Sequence, residues 1–215
     1  DTSKIIRMAK HSNEFQDSLN NFKILLSDRY KTKKIKYLHN YIRYEIAILE
    51  QLAHQNKGDY FKAYLYENYL KRNKINYKND AYMQFFNLFY SDVFKIGGIE
   101  LNDQIKFAIN NYNELQKLIE IIQSCKYFSS PQLSELAIIK GLYDAYNSPS
   151  YVAENVLLFL KKISIESKWQ EHKTMASNCI KELTKFKIGS PCPELIVKDQ
   201  NNQIIKIHEL KEKYT

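Results

Sequence analysis

Apolar residues recur along most of this chain at spacings of three, four and seven, the signature of helices with one buried face. Residues 3–28 carry Ile5, Met8, Phe15, Leu19, Phe22, Leu25 and Leu26 in that rhythm. A second stripe of Tyr37, Leu38, Tyr41, Ile42, Ile46, Leu49 and Leu52 predicts a helix over 33–56, with Thr32 as its cap and Gly58 as its stop. Asp59 is placed to cap a third helix that runs to about Arg72 through Phe61, Tyr64, Leu65 and Leu70. Asn79 or Asp80 opens a fourth, which extends to Gly97-Gly98. Its residues Tyr82, Met83, Phe85, Phe86, Leu88, Phe89, Tyr90, Val93 and Phe94 are apolar nearly all round, so burial on all sides is expected. Asn102 or Asp103 caps a fifth helix up to about Asn110, and a sixth covers 113–124. Ser130-Pro131 marks the seventh start, because Pro is favoured in a first turn, and Ser148-Pro149 breaks that helix. An eighth spans about 150–166 and a ninth 169–185.

After Gly189, Pro191 and Pro193 the pattern changes to two short β-branched runs, Leu195-Ile196-Val197 and Ile204-Ile205-Lys206-Ile207. Asp199-Gln200-Asn201-Asn202 lies between them. Asn tolerates positive φ, so Asn201-Asn202 is suited to close a hairpin. No fixed repeat period is present. The expected fold class is mainly α: an array or bundle of antiparallel helices with a short C-terminal β-hairpin.

Composition narrows the class without naming a function. The 215 residues are 44% hydrophobic and 13% aromatic, which excludes a disordered chain. The longest strongly apolar stretch, Val156 to Leu160, is far short of the roughly 18–20 residues of a bilayer crossing, so no transmembrane segment is expected. The net charge of +8 is uneven: residues 1–80 hold 16 basic and 9 acidic side chains, against 16 and 15 in 81–215. Arg29, Lys31, Lys33, Lys34 and Lys36 form the densest cluster, a patch able to attract phosphate or anionic headgroups. Only four arginines occur, and base-reading proteins lean on Arg, so nucleic acid is disfavoured as a partner.

Candidate chemistry is sparse. Glu50 and His54 share a helix face at metal-ligand spacing, but without a second carboxylate they read as a solvent-facing pair. Tyr37, Tyr41 and Tyr44, and Tyr60 and Tyr64, follow helical spacing and read as packing residues with hydroxyls at the rim rather than as a base-stacking stripe. His11 and His39 have no partner that suggests catalysis. Cys125, Cys179 and Cys192 form no C-x-x-C, and Cys125 and Cys179 read as buried free thiols on apolar helical faces. No nucleophile motif, phosphate loop or dinucleotide fingerprint is present, so no catalytic, cofactor-binding or metal-binding residue is assigned.

The tail carries the strongest signal. Lys187 to Asp199, with Gly189, Pro193 and Asp199, followed by Asn201-Asn202 and by Leu210 and Lys213, resembles the opening of the TlpA/ResA-like branch of the thioredoxin fold, related to the AhpC/TSA proteins. Asn202 stands where that family usually has Gly, and Cys192 stands where Ala is common. Three further segments, 80–86, 136–144 and 176–178, resemble more loosely the helical region that precedes the thioredoxin domain in long cell-envelope members. The resemblance implies a helical domain over 1–186 and the incomplete start of a thioredoxin-like domain over 187–215. It implies that the family's C-x-x-C, which follows the first core strand at a helix N-terminus, lies beyond Thr215. This chain is then the non-catalytic interaction or scaffold part of a thiol-disulfide oxidoreductase of the periplasm or cell envelope. Its partners would be a protein substrate or a second copy, with no cofactor. The alternative is a free-standing basic helical module that binds an acidic protein or nucleic acid.

Overall fold

A computed structural model describes residues 13–54, 58–71, 74–112, 114–128, 130–186, 196–198 and 200–206. Among them are nine α-helices and one two-stranded sheet, a mainly α fold. The helices are α1 (Asn13–Tyr30), α2 (Lys36–Ala53), α3 (Gly58–Leu65), α4 (Asp80–Phe89), α5 (Ile99–Phe107), α6 (Leu115–Gln123), α7 (Pro131–Ala145), α8 (Ala153–Glu166) and α9 (Gln170–Thr184). Two of them run on as π-helical turns, α3 into Tyr66–Leu70 and α5 into Ala108–Tyr112. The expected stretches 3–12, 187–195 and 207–215 lie outside the described residues, as do His11 and Cys192.

Several starts follow local chemistry as expected. Asn79 caps α4, its Oδ1 accepting from the Tyr82 amide at 3.0 Å. Ser130 caps α7 through the Leu133 amide, with Pro131 in the first turn. Gly58 does not stop the second helix as expected: α2 ends at Ala53 with His54 at its C-cap, and Gly58, at φ +63°, is the first residue of α3. Four further expectations need correction. Thr32 does not cap α2; Ile35 holds that position, in extended conformation and with a side chain that bonds nothing, because the chain is not helical through 33–35. Asp59 is not a cap but lies within the first turn of α3. The fourth helix stops at Phe89 rather than Gly97, and Val93–Lys95 form a separate 3-10 turn. That break lets Phe94 bury its ring against Gly141 of α7, where an added Cβ would stand 2.6 Å from two ring carbons. The fifth helix begins at Ile99, not Asn102, because Gly98 at φ +94° makes the turn that precedes it.

The core is one contiguous cluster with an aromatic spine on α4. Tyr82, Phe85, Phe86, Phe89 and Tyr90 are buried, while Gln84 and Asn87 of the same helix reach solvent, so α4 is not enclosed on all sides as its composition suggests. Tyr82 meets Tyr44 of α2 edge-on with centroids 4.8 Å apart, and Tyr90 stacks on Phe128 at 5.3 Å while its hydroxyl donates to the Tyr127 carbonyl at 2.7 Å. Such contacts add about 0.5–1.5 kcal/mol per pair beyond area burial. The more enclosed helix is α7, buried without interruption from Leu133 to Ile139 and packed by α6, α8 and α9, although Tyr143 and Asp144 near its end reach solvent. The Ala108–Tyr112 turn leaves carbonyls that a regular helix would bond, and Asn155 of α8 supplies the donors, reaching the Ile109 and Asn110 oxygens at 3.0 Å each. Asn110 returns a bond to the Val152 amide at the start of α8, at 2.9 Å.

The hairpin forms as expected. Strands β1 (Ile196–Lys198) and β2 (Ile204–Lys206) pair antiparallel, Val197 opposite Ile205, and Asn202 takes φ 61° in the turn. Ile196, Val197 and Ile204 are exposed.

Candidate functional site

The structure separates Glu50 from His54, which the sequence reads as a solvent-facing pair. Glu50 is not solvent-facing: it is 4% exposed, and its carboxylate accepts from the Lys23 ammonium of α1 and from the Tyr69 hydroxyl at 3.1 Å. His54 points elsewhere, its Nδ1 2.9 Å from the Glu50 carbonyl and its ring stacked on Phe61 at 4.2 Å. A buried carboxylate needs a cation and donors, and both come from residues far away in sequence. Burial and then the Glu50 charge push the Tyr69 hydroxyl well above the usual tyrosine range. Among the tyrosines with helical spacing, Tyr44 is core, Tyr37 stacks on Tyr41 at 6.3 Å near the surface, and Tyr60 is exposed. The packing reading therefore holds for Tyr44 and fails for Tyr60, which lies on the outer side of α3. His39 closes on the Lys33 carbonyl. Cys125 and Cys179 are free and half-buried, and burial pushes the Cys179 thiol up.

Two constellations escaped sequence reasoning. The first is a buried polar cluster that joins α7 to α9. Glu135 (5% exposed) of α7 sits 2.7 Å from Nδ1 of His172 (0% exposed) of α9 and also accepts from the Ser167 hydroxyl. On the other side of the ring, the Tyr77 hydroxyl is 2.6 Å from Nε2, and Gln132 donates to that hydroxyl at 3.1 Å. The partners fix one consistent set of roles: Gln132 to Tyr77, Tyr77 to Nε2, and Nδ1–H to the carboxylate. Burial drives the Tyr77 hydroxyl up to about 12, with the Gln132 bond opposing. A carboxylate-oriented histidine is the base half of a hydrolase triad. Here Ser167 bonds the carboxylate instead of the imidazole, and Tyr77 occupies Nε2. The cluster acts as a clamp.

The second is an open cleft of about 820 Å³ between α3, the 92–98 turn and the 124–127 turn. Lys62 reaches into it half-buried, its ammonium 5.6 Å from the Phe89 ring centre and 5.8 Å from that of Tyr127. Lys62 makes no ion pair among the described residues. Burial lowers its pKa from the ordinary lysine value, while Asp59 and Asp92 oppose the shift. Cys125, Lys126 and Lys95 share the lining. A half-buried amine over aromatic faces can serve as a cation-π post or as a nucleophile. No signal in the sequence marks Lys62, because its surroundings come from the end of α4 and from two turns distant in sequence. The chain matches no protein family, no curated protein and no solved structure.

Proposed function

We propose that this chain is the helical, non-catalytic part of a thioredoxin-like thiol-disulfide oxidoreductase of the cell envelope, and that it holds a protein substrate or a second copy beside the dithiol. The hairpin carries this reading. Its strands pair only with each other among the described residues, and they expose Ile196, Val197 and Ile204. A lone two-stranded ribbon is marginal in water, so these side chains call for a further sheet to cover them. A thioredoxin-like domain of the kind the tail resembles would supply one. Cys179 points the same way. Burial raises the Cys179 pKa, whereas a redox nucleophile needs a lowered one.

The test is to read the gene past codon 215 and to assay this chain. The expected continuation is a strand and then a C-x-x-C within roughly thirty codons, as a short strand leading to a helix-terminal dithiol requires. The 215-residue chain should reduce insulin disulfides no faster than the buffer thiol alone. A dithiol-free continuation, or turnover by this chain, overturns the proposal.

A further inference from the structure

The connection between α1 and α2 combines two features that ordinary surfaces keep apart. Arg29, Lys31, Lys33, Lys34 and Lys36 are all exposed there, and among the described residues only Lys31 has an anionic partner, Asp28 at 3.2 Å. Around them stand large apolar side chains that the helical body leaves uncovered: Phe22, Ile24 and Leu25 on the last turns of α1, and Ile35 and Tyr37 at the start of α2. Leu25 is 67% exposed and Ile35 56%. Phe22, Leu25 and Arg29 follow i, i+3, i+7 spacing and so share one face of α1. The turn itself is held by backbone bonds, Lys31 to Ser27 at 2.9 Å, Lys33 to Tyr30 at 3.0 Å and His39 to Ile35 at 3.2 Å, with the His39 ring closing on the Lys33 carbonyl. Beside it lies a cleft of about 400 Å³ that Lys31, His39 and Arg43 line. Ile35 is also an N-cap whose side chain bonds nothing, at a position where Ser or Asp would stabilise the helix.

We infer that this end of the α1–α2 hairpin docks on the headgroup region of an anionic lipid bilayer. Lysine-rich charge attracts such a surface, and the intervening aliphatic groups gain by leaving water for the acyl boundary. The pairing favours lipid over nucleic acid, whose phosphates would take the lysines but offer no apolar place for Ile24, Leu25 and Ile35. No described helix is long and apolar enough to cross a membrane, so the contact lies on the bilayer surface. The inference is independent of the thioredoxin-like reading.

The experiment is co-sedimentation of the full chain with vesicles of 30% phosphatidylglycerol in phosphatidylcholine, with pure phosphatidylcholine as control. Binding is expected to the anionic vesicles only, and to fall steeply in 0.5 M salt. Replacing Lys31, Lys33, Lys34 and Lys36 by Gln should weaken partitioning about a hundredfold or more, at about fivefold per lysine. The charge-neutral pair Leu25→Ser and Ile35→Ser should weaken it about tenfold; both sites are exposed and Ser is a better cap, so the fold is retained. Circular dichroism checks that. No binding to anionic vesicles overturns the inference. Binding that ignores Leu25→Ser and Ile35→Ser also overturns it, because charge alone then suffices and an acidic protein or nucleic acid would serve equally. A concentration-dependent dimer that those two substitutions abolish assigns the face to a second copy instead.

Discussion

Replacing Glu135 by Leu removes the acceptor at the centre of the buried cluster. His172 Nδ1–H loses its acceptor at a site where the imidazole is fully buried, and the Ser167 hydroxyl is left with the Trp169 carbonyl at 3.3 Å. Losing a hydrogen bond to a charged group costs about 1.5–3 kcal/mol, and two such bonds are lost. The expected loss is therefore about 4 kcal/mol, a large share of the roughly 5–15 kcal/mol that holds a domain folded. For a chain of this size it lowers Tm by about 8–16 °C. Glu135→Gln keeps an oxygen in the same place, and its loss should stay near 1 kcal/mol. The double variant Glu135→Leu with His172→Phe removes both partners and should recover part of the loss, giving a coupling energy of about 1–3 kcal/mol. Urea unfolding followed by circular dichroism at 222 nm measures all three. A loss below 1 kcal/mol for Glu135→Leu, or equal losses for Leu and Gln, would falsify the clamp.

Gly141→Ala should cost about 1–3 kcal/mol, because the new methyl meets the Phe94 ring, and Phe94→Leu should relieve part of that cost in the double variant; additive losses would show that the ring is not the obstacle. Tyr82→Phe should leave stability unchanged or raise it by up to about 1 kcal/mol, since its buried hydroxyl has no partner among the described residues; a loss above 1 kcal/mol by thermal melt would contradict this. Tyr77 and Tyr151 are each pushed up to about 12 by burial, above the ordinary 10.0 that they regain on unfolding. Their contribution is complete below pH 10 and is lost as pH rises from 10 to 12, so stability should fall over that window. Absorbance at 295 nm should show these tyrosines ionising late or together with unfolding, and a single ordinary titration near pH 10 in the folded protein would contradict the burial.

Sequence reasoning reaches furthest where the deciding chemistry is local. Asn79 before an apolar run, Ser130-Pro131, and Asn202 between two β-branched runs each specify their own backbone, and the structure agrees at each. It fails where the deciding partner is remote. Glu50 looks like a surface carboxylate until Lys23, 27 positions earlier, and Tyr69 enclose it. The enclosure of α7 is hidden because Ser134 and Glu135 interrupt its apolar stripe, and their satisfaction depends on residues as distant as Phe128, Ser167 and His172. The early end of α4 follows from a gap on another helix, at Gly141, which no window around Ser91 and Asp92 reveals.

The two π-helical turns set where this chain can lose or gain a residue. A π turn holds one residue more than the α turn it replaces. Deleting one residue from Tyr66–Leu70 would close the wide turn into an α turn and shift the side chains within it by tens of degrees. Tyr69 would swing off Glu50, leaving a buried carboxylate with the Lys23 ammonium alone. The same deletion in Ala108–Tyr112 would turn Asn110 away from Val152 and Asn155 away from its two carbonyls. Length changes should therefore be tolerated in the exposed connections, such as 31–35, and rejected at these two turns, where the register of one extra residue keeps distant helices bonded to each other.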